Sequence, residues 1–175
     1  MIKIIVVIAL VAITGVIGFA ATRPDHFTVQ RSASIEAPAE TVFALINDFH
    51  RWSSWSPYER MDPAMKRSFG GAPAGEGAVY EWEGNSQVGQ GRMTMTATKP
   101  PSRITIALDF LRPFEAHNTA EFTLEPRGDR TAVTWAKHGS NPFIAKVMGL
   151  FMDMDRMIGK DFEAGLANLK TIAET

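Results

Sequence analysis

RITIALDF, residues 103–110, sets Ile104, Ile106, Leu108 and Phe110 on one side of an extended chain and Arg103, Thr105, Ala107 and Asp109 on the other. That period-two alternation is the mark of a half-buried β-strand. Pro100-Pro101-Ser102 supplies the turn before it. Downstream, Asn118, Ala120, Phe122 and Leu124 alternate with Thr119, Glu121, Thr123 and Glu125. A turn at Arg127-Gly128-Asp129 then leads to Thr131, Val133 and Trp135. Upstream, Met93, Met95 and Ala97 stand against Arg92, Thr94, Thr96 and Thr98, and Tyr80 and Trp82 against Glu81 and Glu83. Strands of this kind predict an antiparallel sheet with one apolar face and one wet face.

The sheet is flanked by helical patterns. Phe27 to Glu36 reads as a first strand, and Ala37-Pro38-Ala39-Glu40 opens a helix whose apolar face is Val42, Phe43, Leu45 and Ile46. Asn47 to Tyr58 reads as a second short helix, broken at Pro57. From Pro142 to Ala173 apolar residues recur at three- and four-residue steps, through Phe143, Val147, Leu150, Phe151, Met154, Ile158, Phe162, Leu166, Leu169 and Ile172. The spacing predicts one long amphipathic helix, with Gly165 in the stripe admitting a neighbouring backbone. The predicted class is α+β: a curved antiparallel sheet wrapped around a long C-terminal helix, with two short helices after the first strand.

Composition removes several functions. The 175 residues are 45% hydrophobic with a net charge of −1, so there is no basic surface suited to nucleic acid. Zero cysteines exclude disulfides, thiol catalysis and thiolate metal sites. Ile4 to Ala21 is uncharged, with Thr14 its one polar side chain. As a helix it would span roughly 27 Å, close to the ~30 Å hydrocarbon core. Residues 1–23 are therefore read as a membrane anchor, with a cleaved signal peptide as the alternative because Gly18-Phe19-Ala20 has a small-x-small look. Residues 24–175 form the remaining domain, read as a monomer and placed on the non-cytoplasmic side of a single-pass chain, or secreted or periplasmic if the segment is cleaved.

VQRSASIEAPAETVFALINDFHRWSSWSPYE (29–59) resembles the opening of the START-like, or SRPBCC, superfamily, in particular its polyketide cyclase/dehydrase-like branch. GGAPAGEGAVYEWEGN (70–85) and VGQGRMTMTATKP (88–100) are similar to that family's next strands, RTAVTWAKHG (130–139) to its last, and DFEAGLANLKTIAE (161–174) to its closing helix. The resemblance covers nearly all of residues 28 to 174. It implies a helix-grip fold enclosing an apolar cavity for a lipid, sterol, quinone or polyketide, with catalysis in a minority of members. No cofactor is implied.

The four histidines show no metal-ligand spacing, and Ser53, Ser54 and Ser56 lie outside any nucleophile elbow. No metal site and no catalytic residue is assigned. The concave face instead offers aromatic residues: Tyr80, Trp82, Phe110 and Trp135 share the apolar parity, with Trp55 placed near the cavity mouth. Asn118 falls in the same parity and is the candidate orienting amide. Phe151, Met154 and Ile158 of the last helix complete the expected site. Lys137 and Arg31 fall on apolar parities but near strand ends or edges, where long side chains snorkel.

Three functions compete. The first is a membrane-tethered protein that binds a hydrophobic small molecule, a lipid, isoprenoid or polyketide-like ligand, in an internal cavity. The second is a cyclase/dehydrase-type enzyme, which requires a buried titratable group. The third is a cavity-poor interaction module of the same fold.

Overall fold

The computed structural model describes residues 2–175. Helix α1 (Ile2–Ala21) leads to strand β1 (His26–Ile35) and helix α2 (Ala39–Ile46). A 3-10 turn at Phe49–Arg51 and the one-turn helices α3 (Trp52–Trp55) and α4 (Tyr58–Met61) follow. Six strands come next: β2 (Lys66–Gly71), β3 (Ala78–Glu83), β4 (Gln90–Lys99), β5 (Arg103–Arg112), β6 (Ala116–Arg127) and β7 (Arg130–Ser140). Helices α5 (Phe143–Met148) and α6 (Met154–Ala173) close the chain. The seven strands form one antiparallel sheet in the order β1-β7-β6-β5-β4-β3-β2, with α6 packed on its concave face against β1 and β7.

The alternation read from the sequence sets the inner face. Val29, Ile35, Tyr80, Trp82, Met93, Met95, Ile104, Ile106, Phe122, Leu124, Val133 and Trp135 are all buried. Ala97 departs from its predicted side. A bulge between Met95 and Ala97 inserts one residue, and a one-residue slip turns every later side chain over. Ala97 is therefore exposed, and Thr98 pairs with Ile104. Strand β2, KRSFGG at the sheet edge, escapes a period-two reading because it is mostly exposed and ends in two glycines.

The segment after α2 is held by its tryptophans. The last carbonyls of a helix lack intrahelical partners, and here two indoles reach back to that end of α2. Trp52 Nε1 donates to the Ile46 carbonyl at 2.8 Å and Trp55 Nε1 to the Leu45 carbonyl at 3.2 Å. These bonds fold WSSW under the helix and deliver Trp55 to the core, fully buried.

The predicted continuous helix from Pro142 is two helices. Residues 149–153 leave the helical path after Gly149, and the Asp153 carboxylate accepts from the Arg156 amide at 2.9 Å, capping a new helix. The break turns Phe151 into solvent at 74% exposure and leaves Met154 exposed at 44%. In α6 the buried set is Gly159, Phe162, Gly165, Leu166 and Leu169. Gly165 faces side chains rather than a backbone: a Cβ there would lie 2.7 Å from the Trp135 ring and 3.0 Å from Pro57. At Gly159 a Cβ would collide with the Arg31 guanidinium, which crosses the helix to bond Glu163 Oε1 at 2.8 Å and Asp155 Oδ2 at 2.9 Å. Arg31 thus fastens α6 to β1.

Candidate binding face

Strand pairing lays the concave residues out in rows. One row runs Phe69, Tyr80, Met93, Leu108, Asn118, Gly139 and Phe27, each paired with the next across the sheet. On one side of it lie Trp82, Gly91 and Phe110; on the other lie Met95, Ile106, Ala120, Lys137 and Val29.

The inner half of this face is filled. Trp135 stacks on Phe162 of α6 with ring centroids 4.1 Å apart and planes 9° from parallel, and it also meets Phe122 at 5.0 Å and Trp55 at 5.7 Å. Tyr58 meets the same indole edge-on at 6.4 Å. Trp135 Nε1 is buried without a hydrogen-bond partner among the described residues, a costly state for an indole N–H. Tyr80 is also closed in. Its hydroxyl donates to Glu59 Oε1 at 2.5 Å, and the other Glu59 oxygen accepts from Arg67 Nε. Burial, reinforced by that bond to Glu59, holds the Tyr80 hydroxyl above its ordinary pKa. Trp82 lies against Gly91, where a Cβ would strike its ring, and its N–H is spent on the Val88 carbonyl at 2.9 Å.

The outer half is open. Phe27, Leu108, Phe110, Asn118, Lys137 and Ile158 are only half-buried. Asn118 lies against Gly139, the neighbouring position on β7, where any side chain would collide with its Oδ1. A depression of about 560 Å³ at this end of β1, β6 and β7 is lined mainly by the outer parity, with His26, Thr28, His117, Thr119, His138 and Ser140 beside Phe27, Asn118 and Gly139, so it opens on the opposite side of the sheet from Leu108 and Lys137. The histidines belong to the outer parity and the solvent, as their spacing indicated.

Lys137 departs from the solvent-reaching placement that its strand-end position predicts. Instead of snorkelling, its Nζ turns inward and sits 4.6 Å from the centre of the Phe110 ring. Desolvation alone pushes its pKa down, from 10.5 to about 8. The clue available beforehand was parity: Lys137 follows Val133 and Trp135 by twos on the apolar side. Desolvation also raises the Asp161 carboxyl on α6, and burial, with the nearby Asp161 charge, raises the Tyr58 hydroxyl.

The expected site therefore divides. Phe110 and Asn118 line the open half together, with Ile158 half-buried against the core. Tyr80, Trp82 and Trp135 share the concave face but are sealed in the packed half. Trp55 is not at a mouth, because its bond to α2 draws it into the core. Phe151 and Met154 do not form a floor, because the Asp153 cap swings the preceding turn away from the sheet.

A long antiparallel sheet gripping a C-terminal helix, with an aromatic concave face, defines a START-like helix-grip protein. The chain belongs to the polyketide cyclase / dehydrase and lipid transport family, whose model matches residues 26–174. Its fold is similar to protein CV1439 from Chromobacterium violaceum, at 14% identity and TM-score 0.60 over 87% of this chain and 99% of that one. The di-domain ARO/CYC BexL from the BE-7585A biosynthetic pathway aligns at 18% identity and TM-score 0.63, over 89% of this chain and 53% of BexL. The Aha1 dimer from Colwellia psychrerythraea aligns at 15% identity and TM-score 0.57, over 85% of this chain and 96% of that one. No curated protein matches the chain. Helix α1 precedes the family match, and it is long and apolar enough to cross a membrane.

Proposed function

We propose that this protein is a membrane-tethered binder of a hydrophobic small molecule, a lipid, isoprenoid or polyketide-like compound, held against the open half of the concave face. Residues 1–23 serve as the anchor and residues 24–175 as the binding domain. The observation that carries this reading is the half-open apolar wall of Phe27, Leu108 and Phe110, interrupted by two inward polar groups, Asn118 and Lys137. An apolar surface with a few placed polar groups is the usual make-up of a small-molecule site. A ligand lying on Leu108 and Phe110 would set its polar end between the amide and the amine.

The test is a panel of fatty acids, quinones and sterols added to the purified protein, read by tryptophan emission and melting temperature. A binder quenches emission and raises the melting temperature, since a ligand of the native state stabilises it. Asn118→Leu should change the order of preference within the panel and leave the fold intact. If no compound moves either readout, the binding reading is refuted. One observation favours a second reading in that case. The inner half, filled by Trp135, Phe122, Trp55 and Phe162, suits a surface-acting interaction module as well as it suits a shallow binder.

A further inference from the structure

Residues 142–157 carry an unusual surface. Phe143, Ile144, Met148, Phe151, Met152, Met154 and Met157 are all exposed, Ile144 at 67% and Phe151 at 74%. Soluble monomers rarely leave so much contiguous apolar surface to water. Few charges interrupt it. Lys146 is turned inward and bonded to Asp25 Oδ1 at 2.6 Å, Asp153 caps α6, Asp155 is held by Arg31, and Arg156 is the one exposed cation.

The same segment is tied to α1. The Asn141 amide donates to the Asp25 carbonyl at 2.7 Å, and its side chain donates to the Pro24 carbonyl at 3.0 Å. With the Lys146–Asp25 pair, these bonds fix the short linker after α1 to the root of α5. Helix α1 contacts α5, and Ala20 is fully buried. Whatever surface α1 enters, α5 is held beside it.

We propose that the apolar lip formed by α5, residues 149–153 and the start of α6 is a second membrane contact, seated in the lipid interface beside α1. This rests on the reading of α1 as a membrane anchor. Flexible methionines and an exposed phenylalanine are suited to the disordered boundary between head groups and acyl chains. Only two residues separate the lip from β7, the strand that carries Lys137 and Gly139, so the open half of the concave face lies next to the bilayer. A hydrophobic ligand would then pass between bilayer and protein without crossing bulk water.

The chain has no cysteine, so single cysteines report position directly. Spin labels at Val11→Cys, Ile144→Cys, Phe151→Cys and Asp129→Cys are compared in the full chain, reconstituted into phosphatidylcholine vesicles. Asp129, 92% exposed in the β6–β7 turn, is the aqueous control. The labels at 11, 144 and 151 should show a several-fold loss of access to a water-soluble nickel chelate, relative to 129, and easy access to oxygen dissolved in the bilayer. Shielding at 11 with 144 and 151 as open to nickel as 129 would overturn the lip proposal and leave the anchor standing. Nickel access at 11 as well would overturn both. Tryptophan emission matching the parent verifies that each variant is folded.

Discussion

Replacing Lys137 by Met tests the central feature of the candidate site. An ordinary lysine titrates near 10.5; desolvation pushes this one down to about 8. The folded state therefore holds the proton less tightly than the unfolded chain does. The sign follows from proton linkage. Below about pH 8 both states are protonated and the folded protein bears the full cost of desolvating the charge. Between about pH 8 and 10.5 the unfolded chain binds more protons, so stability rises with pH, and above that range the penalty is gone. At about 1.4 kcal/mol per pH unit the cost has an upper bound of roughly 3.5 kcal/mol, and the half-buried position makes ~1–3 kcal/mol the working range. Met keeps the length and the contact with Phe110 without the charge. Urea unfolding followed by tryptophan emission should find Lys137→Met more stable than the parent by that amount at pH 7, with the gap closing by pH 10.5. Equal stabilities at pH 7, or two curves parallel across the pH range, would refute the inward placement of the amine.

Phe162→Ala should cost about 3–5 kcal/mol in the same assay, since the ring is 2% exposed and stacked on a Trp135 that its own neighbours hold in place; a loss under about 0.5 kcal/mol would be surface behaviour. Deleting residues 1–23 should move the protein from the membrane fraction to the soluble fraction with its tryptophan emission unchanged. Recovery of full-length protein as a soluble chain beginning near Ala21 would instead establish a cleaved signal. His117 is raised above its ordinary pKa by the hydrogen bond to Asp109, 2.7 Å away, and then by that carboxylate's charge. Its small contribution is present below the unfolded value near 6.5 and lost as pH rises through the folded one. Imidazole NMR titration should show the elevation, and Asp109→Asn should remove most of it, leaving the smaller part due to the Glu115 charge.

The sheet was legible because its chemistry is local. A strand buried on one face must alternate, and Ala120 to Leu124 do so in burial as in sequence, while Ile104 to Ile106 do so until the open half leaves Ala107 to Phe110 all half-buried. The failures arise where a single local event overrides period. Nothing in Met95-Thr96-Ala97 announces the bulge, since Thr and Ala fit either face. Aromatic character alone points Trp55 to a cavity mouth, yet its position is decided by a hydrogen bond to α2, which no period reports. The helix break left a readable trace: Gly149 followed by Asp153 supplies an end and a new cap. That signal lost to the apolar spacing of Phe151 and Met154, which continues across the break as though the helix did.

The break at 149–153 links the fold to the candidate function. Had α5 and α6 been continuous, as the spacing of Phe143 to Ile158 predicts, Phe151 and Met154 would face the sheet on the stripe that carries Ile158 and Phe162, over the open half. The aromatic packing of Trp135 against Phe162 and Phe122 already closes the other half, so a continuous helix would leave no apolar face for a ligand. Capping α6 at Asp153 opens the outer half and moves the displaced apolar residues to the α1 side of the domain. Burying Lys137 without a carboxylate partner is destabilising, and Arg31 shows the alternative two residues from Val29 on the next strand, where an inward cation is paired with Asp155 and Glu163. Arg31 holds the helix to the sheet, whereas Lys137 stands over Phe110 in the open half with no carboxylate beside it among the described residues.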